Sequence, residues 1–216
     1  MPAFSPINPK MLQAPVGPGR ELYSKRGSML AYVGQVRFEP TVTAGAGLGG
    51  ALGRAMAGES APMMHVTGQG TVMFGHGGLH VTVIDLQGDT LYVEADRLLV
   101  YDASLQSGTM FLGEQGGLSG VIRGQVTGQG LFTTTLTGHG SAAVLSHGGV
   151  VELPITPQRP VHVDPQAYVA HRGHVQNRLS TSMGLRDLIG RGSGEAFQLE
   201  LSGQGTVYVQ ASEKKI

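Results

Sequence analysis

One segment that occurs three times constrains the fold of this chain more than any other feature. The copies are "LYSKRGSMLAY" (residues 22–32), "LYVEADRLLVY" (91–101) and "VHVDPQAYVAH" (161–171), which align without a gap. Each reads as a short extended stretch, a polar turn and an apolar strand. Because self-similarity at a fixed period is typical of repeat architectures, the sequence predicts three tandem units.

A second pattern recurs in the same order along the chain. "HVTGQGTVMF" (65–74), "TLTGHGSAAV" (135–144) and "ELSGQGTVYV" (200–209) each indicate a strand, a Gly-x-Gly turn and another strand. We expect positive φ at Gly68, Gly138 and Gly203, because glycine adopts that conformation without steric cost. A His-Gly-Gly hairpin turn follows in the first two copies, at His76 and His147.

Together these patterns predict an all-β chain with pseudo-threefold symmetry and a few short helical turns in its glycine-rich links. The single domain, residues 1–216, divides into repeats of about 10–80, 81–150 and 151–211. A unit of about 70 residues is small for an independent core. We therefore expect the three units to share one core, with Leu30, Leu99 and Val169 at equivalent positions in it. We also expect the N-terminal strand to pair with the last strand and close the third repeat, which leaves few free edges.

The first glycine-rich link, "TAGAGLGGALGR" (43–54), has Gly45, Gly47 and Gly50 at the spacing of a dinucleotide-binding loop. The two equivalent links do not keep that spacing, and the segment after it is too short for a nucleotide-fold helix. We interpret it as a structural connection and predict no cofactor. Each link instead carries two apolar residues one helical turn apart. We predict that these pairs contact a partner, and that the hairpin tips His76 and His147 do so as well. The alternative is that the pairs plug the barrel ends. The pairs are Leu48 and Leu52, Leu118 and Ile122, and Leu185 and Ile189.

Composition narrows the function classes. Fifteen basic and fifteen acidic residues give zero formal charge, so the total charge offers no long-range attraction to nucleic acid. The absence of cysteine excludes disulfides, thiolate metal sites and a cysteine nucleophile. The N-terminus lacks the pattern of a secretory signal, and no apolar run approaches the roughly 18 residues that a membrane span needs. We expect a soluble, cytoplasmic protein.

Four segments resemble a known family: "GLGGALGRAMAGES", the strand-flanked "TGQGTV", "GDTLYVEADRLLVYDASLQ" and "GSGEAFQLELSGQGTVYVQ". The chain is similar, over roughly residues 10–211, to the altered inheritance of mitochondria protein twenty-four family, whose bacterial members were catalogued as a domain of unknown function. The resemblance implies three repeats similar to the subunit of the tryptophan RNA-binding attenuation protein, a short double-stranded β-helix. Eukaryotic relatives are associated with mitochondrial inner-membrane organisation. The family supplies no catalytic residues to carry over.

One cluster offers a metal-binding alternative. His162, Asp164 and His171 have the residue types that cupin-like β-helix proteins use to hold a metal ion. The repeat alignment disfavours this reading, because the equivalents of His162 and Asp164 in the other copies are tyrosines and a lysine or glutamate. No serine lies in a Gly-x-Ser-x-Gly elbow, and we predict no enzyme activity.

The predicted function is that of a non-catalytic scaffold or protein-interaction module. We expect a homo-oligomer that also binds an unidentified protein. The first alternative is a small-ligand or metal-binding β-helix protein. The second is RNA binding, by analogy with the attenuation protein fold. The balanced charge and the lack of a basic-aromatic cluster disfavour RNA, and a shared fold does not transfer function.

Overall fold

The computed structural model describes residues 4–41, 63–111, 132–181 and 197–216. In this part of the chain nearly all regular structure is β, with one short 3-10 turn at Ala95–Arg97. The all-β prediction is confirmed. The strands are β1 (Ser5–Asn8), β2 (Met11–Val16), β3 (Leu22–Lys25), β4 (Met29–Pro40), β5 (Met63–Phe74), β6 (His80–Glu94), β7 (Leu98–Asp102), β8 (Gln106–Phe111), β9 (Phe132–Ser146), β10 (Val150–Ile155), β11 (Val161–Val163), β12 (Tyr168–Thr181) and β13 (Phe197–Gln210).

All thirteen described strands belong to one antiparallel sheet. Its main path runs β1-β2-β5-β3-β7-β9-β6-β12-β13-β10, and β4, β8 and β11 pair with β5, β9 and β13 respectively. The path has two ends, β1 and β10, so the sheet is open. Three long strands, β5, β9 and β13, each carry several partners and organise the sheet around them.

Alternation of apolar and polar residues marks some of the strands. In β2, for example, Leu12, Ala14 and Val16 are buried while the residues between them are exposed. This period of two places one face of the strand against the core.

Among the described residues the core consists of three apolar clusters of unequal size. The first joins β2, β3 and β5 to residues of β7 and β9, and the second joins β6, β7 and β9 to β12 and β13. Each of these contains thirteen buried side chains. The third lies around β11 and β13 and contains six, which are Ile155, Val163, Tyr168, Leu199, Leu201 and Val207.

Two sequence-based expectations about this core and its closure are wrong. Leu99 and Val169 are fully buried, but Leu30, the equivalent residue in the alignment, is 51% exposed. The N-terminal strand β2 pairs with β5 and not with the last strand β13. The reason is packing: the buried face of β2 belongs to the same apolar cluster as Val72 and Phe74 of β5.

The predicted positive φ at the three repeated glycines is confirmed. The prediction that each glycine forms a turn between two strands is wrong. Gly68, Gly138 and Gly203 have φ of 111°, 128° and 113°. However, each lies inside a continuous strand rather than between two strands. A Cβ on Gly68 would collide with the carbonyl of Gln35 across the ladder. Glycine therefore permits a close approach and a bend without interrupting the strand pairing.

Candidate functional site

Six of the predicted contact residues lie outside the described part of the chain: Leu48, Leu52, Leu118, Ile122, Leu185 and Ile189. The two histidines of the hairpin tips are described. His76 and His147 follow β5 and β9 and are both half-buried. The backbone N–H of His147 donates to Oε1 of Gln210 at 2.9 Å, so this turn is tied to the end of β13.

The three residues of the metal alternative lie on different elements. His162 is exposed on β11, opposite Glu200 of β13. Asp164 accepts a hydrogen bond from the backbone N–H of Gln166 at 2.7 Å, which is ordinary turn chemistry. His171 is buried in β12. Within the described ranges, no group of three histidine or carboxylate side chains is arranged to hold a metal ion.

His171 is instead part of a buried aromatic group. Its ring stacks on Tyr92 with centroids 4.5 Å apart and an interplanar angle of 7°. Its Nδ1 lies 2.7 Å from the hydroxyl of Tyr168, which also contacts the carbonyl of Tyr92 at 3.1 Å. Both contacts are satisfied if Nδ1–H donates to Tyr168 and Tyr168 donates to the carbonyl. Burial lowers the pKa of His171 to about 4, so the ring is neutral near pH 7.

Similar ring pairs occur at two places where distant strands meet. We call the pairing of β3 with β7 the first joint and the pairing of β6 with β12 the second joint. Tyr23 faces Tyr101 at the first joint, with ring centroids 5.3 Å apart. Tyr92 faces His171 at the second. In the sequence alignment, the same two repeat positions supply the pair at both joints.

Charged side chains reinforce both joints. At the first, Nζ of Lys25 donates to the carbonyl of Asp96 at 2.9 Å, and burial lowers the pKa of Lys25 while the nearby Asp96 carboxylate opposes that shift. At the second, the fully buried Arg97 pairs with Glu94 and donates to Oε1 of Gln210 at 2.5 Å. Buried charges are tolerated when they are paired and hydrogen-bonded in this way. These groups therefore hold the sheet together.

Four of the six exposed large apolar side chains among the described residues lie in the first half of β4. Met29, Leu30, Tyr32 and Val33 are 40%, 51%, 46% and 67% exposed. We call these four residues the β4 strip. Leu30 also lines an open cavity of about 490 Å³ whose wall includes His76. The sequence does not reveal this exposure, because the strip has the same apolar character as its buried counterparts in β7 and β12.

A family model described as mitochondrial biogenesis AIM24 matches residues 5–212. The chain belongs to the AIM24 family. The crystal structure of protein SPYM3_0169 from Streptococcus pyogenes is similar in fold, with a TM-score of 0.73 and 20% sequence identity over 97% of this chain and 92% of that one. A search of curated proteins finds no match.

The AIM24 assignment agrees with the resemblance seen in the sequence and with the all-β sheet. The family has no clear biochemical role, so membership does not identify a substrate or a partner. In the described part of this AIM24 chain, no helix is both long and apolar enough to cross a bilayer.

Proposed function

We propose that this AIM24 family protein is a non-catalytic scaffold or interaction module whose contact surface includes the β4 strip. The observation that carries the proposal is the exposure of Met29, Leu30, Tyr32 and Val33 at nearly adjacent positions of one strand. Exposed apolar patches are typical of surfaces that bind other proteins. An uncovered sheet edge adds a row of backbone donors and acceptors that a partner strand can use.

We further propose that the chain is three repeated units with the pseudo-threefold, short β-helix arrangement of the attenuation protein subunit. The support is local geometry shared by the first and third units. Gly34 of β4 lies opposite Gly70 of β5, and Gly173 of β12 lies opposite Gly205 of β13. Gly34 and Gly173 have φ of 103° and 98°. At both, an added Cβ would lie 2.8 Å from the Cα of the opposite glycine.

The charged groups that the structure describes support a non-catalytic role. Glu94 is engaged by Arg97 and by Nζ of Lys215, and Arg172 pairs with Asp89 at 2.7 Å. These side chains serve joints and strand ends. A catalytic set needs a nucleophile or base aimed into a shared pocket, with geometry that these pairs do not have.

The test is quantitative capture of partners from cells of the source organism. Immobilised wild-type protein is compared with a Leu30→Ser/Val33→Ser variant, in which both changed residues are exposed, so the fold is kept. Val151→Ser is the matched control, because Val151 is 53% exposed on β10, away from the strip. We expect proteins that bind the wild type and the control but not the strip variant. Equal capture by all three would contradict the proposed surface.

The metal-binding alternative retains one specific observation. Nε2 of His171 is buried and has no hydrogen-bond partner among the residues that the structure describes. A ligand at this atom would require a change in the surrounding side chains, since His162 and Asp164 lie on other elements. Elemental analysis of the purified protein decides the matter: a stoichiometric metal that is lost in His162→Ala would favour this function over the scaffold.

RNA binding is the weaker alternative. The aligned positions Lys25, Glu94 and Asp164 differ in charge, so they form no basic ring around the proposed axis. Binding to random single strands that weakens steeply with salt would favour it.

A further inference from the structure

We propose that the β4 strip binds the free edge of β11 in a second copy of the same chain, forming a third joint between molecules. This rests on the proposed interaction function and names one occupant of its surface. Strand β3 has partners on both edges, β5 and β7, and the aligned segment of β6 also has two, β9 and β12. Among the described strands, β11 pairs only with β13, and β4 pairs only with β5. Each therefore retains one unpaired edge.

The register of the two existing joints predicts the register of the third. At the first joint Leu22 pairs with Asp102, and at the second Leu91 pairs with Arg172. In both cases the residue that starts one copy of the repeated segment meets the residue 11 positions after the start of the next copy. The same rule pairs Val161 with Val33. It also places His162 opposite Tyr32, which provides the ring pair found at the other joints.

The first joint also brings opposite charges close together. At the first joint, Nζ of Lys25, the fourth residue of one segment, donates to the backbone carbonyl of Asp96, the sixth residue of the next segment, and the Asp96 carboxylate attracts the Lys25 charge. At the proposed joint the fourth residue is Asp164, and the sixth residue of the facing segment is Gly27. The neighbouring fifth residue, Arg26, would bring a charge of opposite sign to the same turn. Arg26 is exposed and makes no ion pair with any residue that the structure describes.

The unequal apolar clusters also support a third joint. The first and second clusters each draw buried residues from both sides of a joint and contain thirteen. The third contains six, all from the β10–β13 region. Leu99 of β7 and Val169 of β12 are fully buried, whereas the aligned Leu30 of β4 is half exposed. Docking β4 of one copy onto β11 of another would complete the small cluster and cover Leu30.

Within one chain the described edges of β4 and β11 do not pair with each other, so we assign a second copy as the occupant of each. In the folded chain the described sheet is open, and the strands that hold β4 and β11, which are β5 and β13, are separated by most of its path. A second copy can pair without any change at the two existing joints. Such a contact is head-to-tail, so it leaves one free edge at each end and allows larger assemblies to form.

Cysteine cross-linking tests the register directly, because the chain contains no cysteine of its own. Tyr32→Cys and His162→Cys proteins, one carrying a larger tag, are purified, mixed and mildly oxidised. Paired residues of an antiparallel ladder have Cα atoms about 4.5–5.5 Å apart, within the range of a disulfide. We expect the mixed heterodimer to form. The control mixture of Val151→Cys with His162→Cys should not form it.

The double variant Tyr32→Cys/His162→Cys separates the two possible closures. A disulfide within a monomer, with no cross-link in the mixture of single variants, would overturn the proposal in favour of closure within one chain. The absence of a disulfide both in the mixture of single variants and in the double variant would also overturn the proposal.

A charge exchange provides a second, independent readout. Arg26→Asp and Asp164→Arg should each weaken the self-association of the purified protein several-fold in light scattering, and the two proteins mixed should associate again. A wild type that scatters as a strict monomer at all accessible concentrations would refute the third joint. Because only purified chain is used, that result would leave the capture experiment, and hence the proposed interaction function, unaffected.

Discussion

The buried histidine of the second joint makes the stability of this protein depend on pH. Burial lowers the pKa of His171 to about 4 from an ordinary value of 6.5. Between these values the unfolded chain binds a proton at this residue and the folded chain does not. The contribution of the neutral, buried His171 to the free energy of unfolding is therefore complete above pH 6.5, falls as the pH decreases, and is lost below pH 4.

The size of the effect follows from the pKa difference. A pKa difference of one unit corresponds to about 1.4 kcal/mol, so full protonation of His171 lowers the free energy of unfolding by about 3 kcal/mol. Between pH 8 and pH 5 the expected loss of unfolding free energy is about 2 kcal/mol. His171→Phe removes the titrating group while keeping a ring that can stack on Tyr92. Tyr168 can still donate to the carbonyl of Tyr92, so its hydroxyl is not left unpaired.

The measurement is the free energy of unfolding in urea at pH 8 and pH 5, for the wild type and His171→Phe. Each protein is referenced to its own value at pH 8, so the cost of the substitution itself cancels. We expect the wild type to lose about 2 kcal/mol more than the variant. The exposed His139 supplies the control, because His139→Gln should keep the pH dependence of the wild type. Identical losses in wild type and His171→Phe would show that His171 is not held neutral by burial.

Three further predictions follow from the fold. Gly68→Ala should lower the free energy of unfolding by about 1–3 kcal/mol, because φ at this residue is 111° and the added methyl would collide with the Gln35 carbonyl. The control Gly17→Ala, which has open space around it, should leave the melting temperature nearly unchanged. Arg97→Met should lower the free energy of unfolding by about 3–5 kcal/mol, because it leaves Glu94 buried with Lys215 as its remaining described ion-pair partner. Asp89→Asn, at a partly exposed ion pair, should lower it by less than about 1 kcal/mol. Similar losses of unfolding free energy for the two variants in urea titrations would contradict this ranking. Removing residues 1–16 deletes β1 and β2, uncovers one edge of β5 and should cause aggregation in light scattering; an unchanged melting temperature and a monodisperse product would refute it.

Much of the candidate site could not be predicted from the sequence. His162, Asp164 and His171 are close along the chain, but β11 ends at Val163 and β12 begins at Tyr168, so the three residues fall on a strand, a turn and another strand. Proximity in sequence does not bring side chains together across such a change of direction. The Tyr92–His171 stack joins residues 79 positions apart and depends on which strands pair.

The sequence alone determined the local properties of the chain. Alternating apolar residues make strands, the recurring segment predicts three units of similar design, and Gly68, Gly138 and Gly203 adopt dihedrals that side chains oppose; each of these depends on a residue and its near neighbours. Only the tertiary structure decided that β2 pairs with β5 and that Leu30 is exposed while Leu99 and Val169 are buried. The physical reason is that burial of a strand depends on which other edge reaches it, and an apolar strand is compatible with several edges. Pairing between distant strands is a property of the whole sheet, and one edge of β4 is unpaired among the described strands.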